Sequence, residues 1–420
     1  MRKIIFSVIG TSGDINPLLA MALHMKEKRF DVTFLTNDHF IPLLVELGIN
    51  YFSIGTEEHY QLGNSKECWD YSKDDNSIFG LYHAPAFRPA YDYVIDAYKD
   101  NKNLMVVSLF SYDGARAAAE KLGIPKVSIV LSPNQFFSFI APPAPFCWLL
   151  PSWVPSPINK FTLKIIWKVF TAGNRLNKWN RMHLIERKKI GALKIDGSYK
   201  NEIVNICFFP EWFGMRQKDW VKNIQLVGFP FFKYQHEPSQ QEADAFIEEQ
   251  GTPIIFTTGT GVQDTAAFIN EAKKICSLLN TPGLFVGGNE FQDIHKSLPY
   301  FKQMKYVDFE YILPKCKAIV HHGGVGTTAA AIKAGIPQLI RPLKYDQPDN
   351  ANRIRKLGLG HFLLAKNFTA ELAVLILKKI IHDAPHNRNY LLYSADVKRS
   401  NAIEKACNII ERKIKELDQA

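Results

Sequence analysis

Two series of alternating strand-like and helix-like segments place the strongest constraint on the fold of this chain. The first runs from the apolar strand Lys3–Ile9 to the strand Lys126–Leu131, and the second runs from Ile254–Thr258 to Gln338–Arg341. Strands that alternate with helices form parallel sheets with helices on both faces. One hydrophobic core seldom serves a chain of 420 residues. The pattern therefore predicts two α/β domains.

The boundary between the two domains is predicted in the polar, aperiodic stretch Pro230–Ala243. We expect an N-terminal domain over residues 1–232 and a C-terminal domain over residues 233–395. Residues 396–420 are predicted to form a closing amphipathic helix, because its apolar residues recur at helical spacing. These residues are Ile403, Cys407, Ile410, Ile414 and Leu417.

Cysteine usage and hydropathy indicate a cytoplasmic protein. The six cysteines form no C-x-x-C pair, which argues against a zinc module or a redox motif and fits a reducing compartment. The start of the chain mimics a signal peptide, but Gly10–Asp14 stands where a cleavage site would be, so we interpret it as a buried strand. The sequence has no run of the ~20 apolar residues that a membrane span needs.

The net charge of +10 is concentrated in residues 151–195, which carry ten Lys or Arg and one acid. Nucleic-acid binding is one interpretation of such charge, but aromatic residues lie among the basic ones, and we predict no nucleic-acid partner. Lys160, Lys164 and Lys168 share one helical face. That face is either a solvated surface or a docking site for an anionic membrane. For a cytoplasmic protein, this membrane would be the inner face of the cell membrane.

The segment His321–Thr328, H-H-G-G-V-G-T-T, follows an apolar strand and opens an alanine-rich helix. Glycines at such a turn let the backbone approach an anion, and the helix N-terminus offers free N–H groups. His322, Thr327 and Thr328 add side-chain donors. The alternative is a tight turn with a buried histidine pair. A metal site is disfavoured, because adjacent histidines on a strand point apart and no third ligand is nearby.

A second polar segment follows the next strand and presents Asp346, Gln347 and Asn350. Carboxylate and amide groups suit recognition of vicinal sugar hydroxyls, although a polar loop with an Asx turn is an alternative. A third segment, Gly10–Pro17, carries Asp14 after the first strand. Asp14 is either a general base or the N-cap of a helix that begins near Pro17.

Together these segments resemble the donor signature of the family 1 glycosyltransferases of the GT-B fold, which include UDP-glucosyl-, UDP-glucuronosyl- and sterol glucosyltransferases. The resemblance implies two Rossmann-like domains whose parallel sheets face a cleft. It implies that the diphosphate of a UDP-sugar or dTDP-sugar is held by His322, Gly324, Gly326, Thr327 and Thr260. It also implies that Asp346 and Gln347 hold the sugar, that Val307 meets the base, and that Asp14 is the catalytic base. Asp308 stands where the family usually has proline.

The acceptor is expected to be a lipophilic molecule with a hydroxyl group. Phe136, Phe137 and Phe139 fall where the family builds its acceptor pocket, although phenylalanine clusters are often core. Segments such as Phe209–Phe213 also resemble the rhamnosyltransferases of rhamnolipid synthesis. We expect an inverting hexosyl transfer without metal or cofactor, since the sequence has no D-x-D motif. The alternatives are a non-catalytic nucleotide-sugar-binding partner protein and another GT-B enzyme such as a nucleotide-sugar epimerase.

Overall fold

The computed structural model describes residues 2–63, 65, 83–109, 113–149, 158, 161–166, 202–232, 237–259, 265–287 and 298–419. The chain divides into two compact units. Unit 1 comprises Met1–Phe232 together with Asn401–Ala420, and unit 2 comprises Lys233–Ser400. Among the described residues, no helix is both long enough and apolar enough to cross a membrane.

The strands of unit 1 are β1 (Lys3–Ser7), β2 (Asp31–Asn37), β3 (Asn50–Gly55), β4 (Leu104–Ser108), β5 (Lys126–Val130), β6 (Val204–Cys207) and β7 (Ile224–Leu226). Its described helices are α1 (Ser12–Glu27), α2 (Ile41–Glu46), α3 (Glu57–Gly63), α4 (Ala84–Asp100) and α5 (Gly114–Leu122). The described strands form one sheet in the order β3-β2-β1-β4-β5-β6-β7, and every neighbouring pair is parallel. The strand interiors are apolar and mostly fully buried, as expected for a sheet covered by helices on both faces.

Helices α4 and α5 pack closely against each other and against one face of this sheet. Gly114 permits this contact, because a Cβ at this position would lie 1.8 Å from the backbone oxygen of Phe87. Asp113 caps α5 by accepting a hydrogen bond of 3.0 Å from the N–H of Ala115. Gly123 ends the helix with a φ of +69°, a conformation that favours glycine.

The strands of unit 2 are β8 (Ile254–Thr257), β9 (Gly283–Val286), β10 (Phe301–Met304), β11 (Ala318–His321), β12 (Gln338–Ile340) and β13 (Gly360–Phe362). Its described helices are α6 (Glu237–Gln250), α7 (Thr265–Leu279), α8 (Phe309–Ile312), α9 (Val325–Ala334), α10 (Gln347–Lys356), α11 (Ala370–Asp383) and α12 (Arg388–Arg399). The described strands form a parallel sheet in the order β10-β9-β8-β11-β12-β13. One apolar core lies between the sheet and α7 with α11, and a second lies between the sheet and α6, α8 and α9. The predicted fold class, two Rossmann-like α/β units with parallel sheets, is confirmed.

The last helix, α13 (Ala402–Asp418), belongs to unit 1, where it packs against α1. Cys407, Ile410 and Ile414 are buried on its apolar stripe. An ion pair of 2.7 Å joins Lys28, which follows α1, to Glu411 of α13.

Two predicted element boundaries were wrong. Residues 237–243 of the predicted linker lie in α6, because Ala243 and Phe246 give this helix a buried face. Helix α1 begins at Ser12 and contains Pro17 within it, because the capping residue is Thr11. The pattern also failed to predict five of the described strands, namely β3, β6, β7, β10 and β13.

Candidate active site

The strand β11 leads into two adjacent histidines with different environments. His321 is fully buried. Its Nδ1 accepts a hydrogen bond of 3.1 Å from the N–H of Gly323, and its Nε2 lies 3.0 Å from Oε1 of Gln338. Burial, with a smaller effect of His322, lowers the pKa of His321 to about 3. The imidazole is therefore neutral with its proton on Nε2, and its role is to shape the glycine turn. For His321, the interpretation as a buried structural histidine is correct.

The imidazole of His322 occupies a slot between two glycines. A Cβ at Gly259 would lie 2.4 Å from Cε1 of His322, and a Cβ at Gly324 would lie 2.5 Å from its Nε2. The Nδ1 atom is buried and has no hydrogen-bond partner among the described residues. Burial lowers the pKa of His322 to about 4, so the ring is neutral at pH 7. The slot thus holds a neutral imidazole whose buried Nδ1 has no hydrogen-bond partner among the described residues.

The helix α9 begins immediately after this slot. Gly324 is its N-cap, and no side chain caps the helix there. The first N–H groups of a helix lack partners within the helix, so they are available to an anion. In this first turn Gly326 is exposed and Thr327 is half-buried. The space beside Gly326 is open, because a Cβ at this position would have no atom within 4 Å.

The turn after β8 lies beside the turn after β11, because the two strands are neighbours in the sheet. Gly259 has a φ of +76° and donates its N–H to Oγ1 of Thr257 at 3.0 Å. The hydroxyl of Thr258 is buried, and within the described chain nothing hydrogen-bonds to it. Thr258 was not among the predicted site residues. The predicted Thr260 lies outside the described residues.

Asp346 and Gln347 lie at the start of α10, and side-chain hydrogen bonds hold both of them. Asn350 donates from Nδ2 to Oδ2 of Asp346 at 2.8 Å and to the backbone oxygen of Gly323 at 2.9 Å. Oε1 of Gln347 accepts the N–H groups of Leu343 and Lys344 at 2.8 and 3.1 Å. The polar loop is therefore fixed to the glycine turn, and the side-chain oxygen of Gln347 is already used within the loop.

The segment predicted to meet the base is built around a helix cap. Val307 is buried, and Asp308 accepts the N–H of Glu310 at 2.8 Å as the N-cap of α8. Asp308 can replace proline here, because a capping carboxylate also favours the start of a helix.

Asp14 lies just beyond the carboxyl end of β1 in unit 1. Its Oδ2 accepts the N–H of Thr11 at 2.9 Å and the hydroxyl of Thr11 at 3.3 Å. It is therefore the third residue of α1 in a capping box and not the N-cap. A Cβ at Gly10 would lie 2.3 Å from Oδ2 of Asp14, so only glycine fits at position 10. Burial raises the pKa of Asp14 to about 6, against smaller opposing effects of Thr11.

A second carboxylate, Asp113, follows the carboxyl end of β4, the neighbour of β1. Its Oδ1 accepts the hydroxyl of Ser7 at 2.9 Å. Its Oδ2 is buried without a hydrogen-bond partner in the described residues, and burial raises its pKa to about 6. Asp113 was not predicted as a site residue, because in sequence it resembles an ordinary helix cap before α5.

The predicted acceptor residues have different environments. Phe136 is 6% exposed, with its ring centroid 5.2 Å from that of Trp220, so its role is mainly packing. Phe137 is half-buried, as is Phe139, and their ring centroids lie 5.1 Å apart. Most of the basic segment 151–195 lies outside the described residues, including Lys160 and Lys168, whereas Lys164 is exposed.

The chain matches known glycosyltransferases in both units. Residues 4–135 match the model described as "Glycosyltransferase family 28 N-terminal domain", and residues 288–414 match "Erythromycin biosynthesis protein CIII-like, C-terminal domain". NDP-glycosyltransferase YjiC of Bacillus subtilis is 22% identical over 98% of this chain and 97% of that protein. A sterol 3-beta-glucosyltransferase of Vanderwaltozyma polyspora is 25% identical over 96% of this chain and 34% of that protein.

Solved glycosyltransferase structures share the fold. The glycosyltransferase of kitacinnamycin has a TM-score of 0.73 and 14% identity, covering 98% of this chain and 99% of that one. Glycosyltransferase VinC, solved in complex with dTDP, has a TM-score of 0.65 and 16% identity over 99% and 100%. The two parallel-sheet units and these matches identify the chain as a glycosyltransferase of the GT-B fold. Within that class it is a family 1 glycosyltransferase, as its donor signature predicted.

Proposed function

We propose that this enzyme transfers a hexose from a UDP-sugar or dTDP-sugar to a hydroxyl group of a lipophilic acceptor, with inversion and without a metal ion. The observation that carries this proposal is the pair of neighbouring turns at the carboxyl ends of β8 and β11, which we infer to bind an anion. There, the unpartnered atoms of Thr258 and His322 lie in neighbouring turns, beside the uncapped N-terminus of α9. Neutral N–H and O–H donors of this kind suit a diphosphate.

The polar loop after β12 provides the proposed sugar site. Asp346 is fixed to the glycine turn through Asn350, so a sugar next to the diphosphate would meet its carboxylate and the amide of Gln347. The proposed nucleotide is supported by the named relatives, among them an NDP-glycosyltransferase and a structure containing dTDP. A hydroxylated lipid as acceptor is supported by the likeness to a sterol glucosyltransferase and by the partly exposed Phe137 and Phe139.

In the proposed reaction, Asp14 removes the proton of the acceptor hydroxyl while the oxygen attacks the anomeric carbon. The bond between that carbon and the diphosphate oxygen breaks, and the nucleoside diphosphate leaves with the electron pair. Attack from the face opposite the leaving group inverts the configuration. A pKa of about 6 makes Asp14 a better base than an ordinary aspartate and keeps it mostly ionised at pH 7. The donors around His322 stabilise the charge on the leaving diphosphate.

Product analysis with radiolabelled UDP-glucose and dTDP-glucose tests the proposal. With a sterol or a hydroxy-fatty acid as acceptor, we expect a labelled lipid and release of the nucleoside diphosphate, both unaffected by EDTA. Interconversion of the nucleotide sugar without acceptor would instead indicate an epimerase. Tight donor binding without turnover on a broad acceptor panel would indicate a non-catalytic binding partner.

Gln347→Glu tests the sugar site without loosening the loop. Glutamate keeps an oxygen that can accept the N–H groups of Leu343 and Lys344, replaces the amide donor by a second oxygen and adds one negative charge. We expect the KM for the nucleotide sugar to rise about tenfold, the effect of roughly one lost hydrogen bond. Free UDP should bind nearly as it does to the wild type, as measured by calorimetry at a salt concentration high enough to screen the added charge. A large loss of UDP affinity would instead place Gln347 at the nucleotide.

We further propose that the basic segment 151–195 docks the enzyme on an anionic membrane. Its described part supports this, since Phe161 and Ile165 are 66% and 49% exposed beside Lys164. Each basic residue near such a surface contributes about 1 kcal/mol at low salt.

Liposome co-sedimentation tests this membrane docking. We expect binding to vesicles with anionic lipid, release at high salt, and loss of binding when Lys160, Lys164 and Lys168 are replaced by glutamate. Replacing the exposed Lys378 and Lys379 of unit 2 by glutamate serves as a control for a general loss of positive charge. Equal pelleting with neutral and anionic vesicles would contradict the proposal.

A further inference from the structure

A strained tyrosine lies at the tip of the proposed sugar loop. The N–H of Gln347 donates to the backbone oxygen of Lys344 at 3.1 Å, which closes a four-residue turn. Its first central residue, Tyr345, has a φ of +58°, and its second, Asp346, has φ −80° and ψ −16°. Turns with a positive φ at the first central position ordinarily place glycine, asparagine or aspartate there. Tyrosine is disfavoured in this conformation.

The other described non-glycine residues with positive φ have an ordinary explanation. Arg29 and Asn280 have φ values of 66° and 46°, and each directly follows the last turn of a helix. A left-handed residue is a common way to end a helix. Tyr345 ends no helix, because it precedes α10.

The surrounding hydrogen bonds hold Tyr345 in this conformation. Gln347 binds the two N–H groups before the tyrosine, and Asn350 ties the carboxylate of Asp346 to Gly323. Gly323 in turn lies against Gln347, since a Cβ there would be 3.3 Å from the backbone oxygen of Gln347. The position of Tyr345 is therefore fixed relative to the glycine turn that carries His322.

The side chain of Tyr345 remains about half exposed despite the strain in its backbone. It is 51% exposed, whereas most large apolar side chains near the sheet are buried. Strained residues that persist in a well-determined setting concentrate at functional sites. Because Tyr345 directly precedes Asp346 and Gln347, its half-exposed side chain lies next to the part of the loop that is proposed to bind the sugar.

We propose that the ring of Tyr345 is an aromatic platform for the hexose of the nucleotide sugar, and that it sets the preference among donors. A hexose presents C–H groups on the faces of its ring, and an aromatic face packs against such a surface. Asp346 and Gln347 would bind the hydroxyls at the edge of the sugar while Tyr345 covers one face. The platform favours hexoses whose C–H face is not interrupted by an axial hydroxyl. This inference rests on the proposed function of the loop.

Calorimetric titration of three variants with UDP, dTDP, UDP-glucose and dTDP-glucose tests the platform. Tyr345→Gly removes the ring and relieves the strain, so we expect an equal or higher Tm. It should weaken binding of whichever nucleotide sugar the wild type binds by about tenfold and leave the free diphosphate within about twofold. Tyr345→Phe keeps the ring and should bind like the wild type. Asn280→Gly replaces another residue with a positive φ in unit 2 by glycine. It should change neither the affinity for the nucleotide sugar nor the affinity for the free diphosphate.

The titration separates failure of this inference from failure of the proposed function. Equal weakening of UDP and UDP-glucose by Tyr345→Gly would show that the tyrosine maintains the turn and does not contact the sugar. Unchanged affinity for every ligand would overturn the platform and leave the proposed function standing. If the wild type bound none of the four ligands, the proposed function and the platform would both be overturned.

Discussion

Replacing Asp14 by asparagine is expected to abolish transfer and to make the protein more stable at pH 7. As the proposed base, Asp14 contributes about 10²- to 10⁴-fold to the rate, and asparagine cannot accept the proton. Donor binding should be unchanged, because the base acts only on the acceptor hydroxyl. Asparagine can still accept the N–H of Thr11, so the start of α1 is retained.

The stability effect follows from the raised pKa of Asp14, about 6 in the folded protein against an ordinary 3.8. At pH values between 3.8 and about 6 the folded state binds more protons than the unfolded state, so the free energy of unfolding falls as the pH rises. The full loss of stability is present above pH 6. At pH 7 the variant should be more stable by about 1–3 kcal/mol. Below a pH of about 4 this gain should disappear.

Denaturant unfolding at several pH values, together with a pH profile of turnover, measures both effects. For the wild type, kcat/KM should rise with pH around a midpoint near 6, the pKa of the base. Asp96→Asn, a change at an exposed carboxylate of α4, is the matched control and should alter neither property. A fully active Asp14→Asn enzyme would leave Asp14 only its role in the capping box.

Replacing His322 by alanine is expected to reduce turnover of the nucleotide sugar by roughly 10- to 1000-fold, or about 1–4 kcal/mol of transition-state stabilisation. The physical reason is the loss of the donor that occupies the slot between Gly259 and Gly324. The affinity for free UDP should fall as well, because in the proposed function the same atoms bind the diphosphate. Steady-state kinetics and calorimetry measure the two effects.

The control for this substitution is His382→Ala, which removes an exposed histidine from α11 in the same unit. Circular dichroism and Tm should establish that His322→Ala is folded. A folded variant with near-normal turnover would contradict the assignment of His322 to the diphosphate.

The sequence pattern predicted regular elements well where the apolar periodicity was long. The bounds of α5 and α7 agree with the predicted helices, because apolar residues line one face of each and a cap and a glycine mark the ends of α5. The strands β10 and β13 were missed because neither is an apolar run: the interior of β10 is Lys302-Gln303, and the centre of β13 is the exposed His361. Such strands become recognisable only through their pairing with a neighbour.

The site could be predicted as a set of segments but not as a set of contacts. In sequence His321 and His322 are equivalent, and only hydrogen bonding distinguishes His321, which is bonded through both ring nitrogens, from His322, whose Nδ1 has no partner among the described residues. Asp113 was missed because its carboxylate meets β1 through Ser7, 106 residues earlier in the chain. The strain at Tyr345 is likewise a backbone property that no residue pattern reveals.

The return of α13 to unit 1 makes unit 2 a single uninterrupted stretch of sequence, inserted between two pieces of unit 1. Cys407, Ile410 and Ile414 are buried on the side of α13 that meets α1.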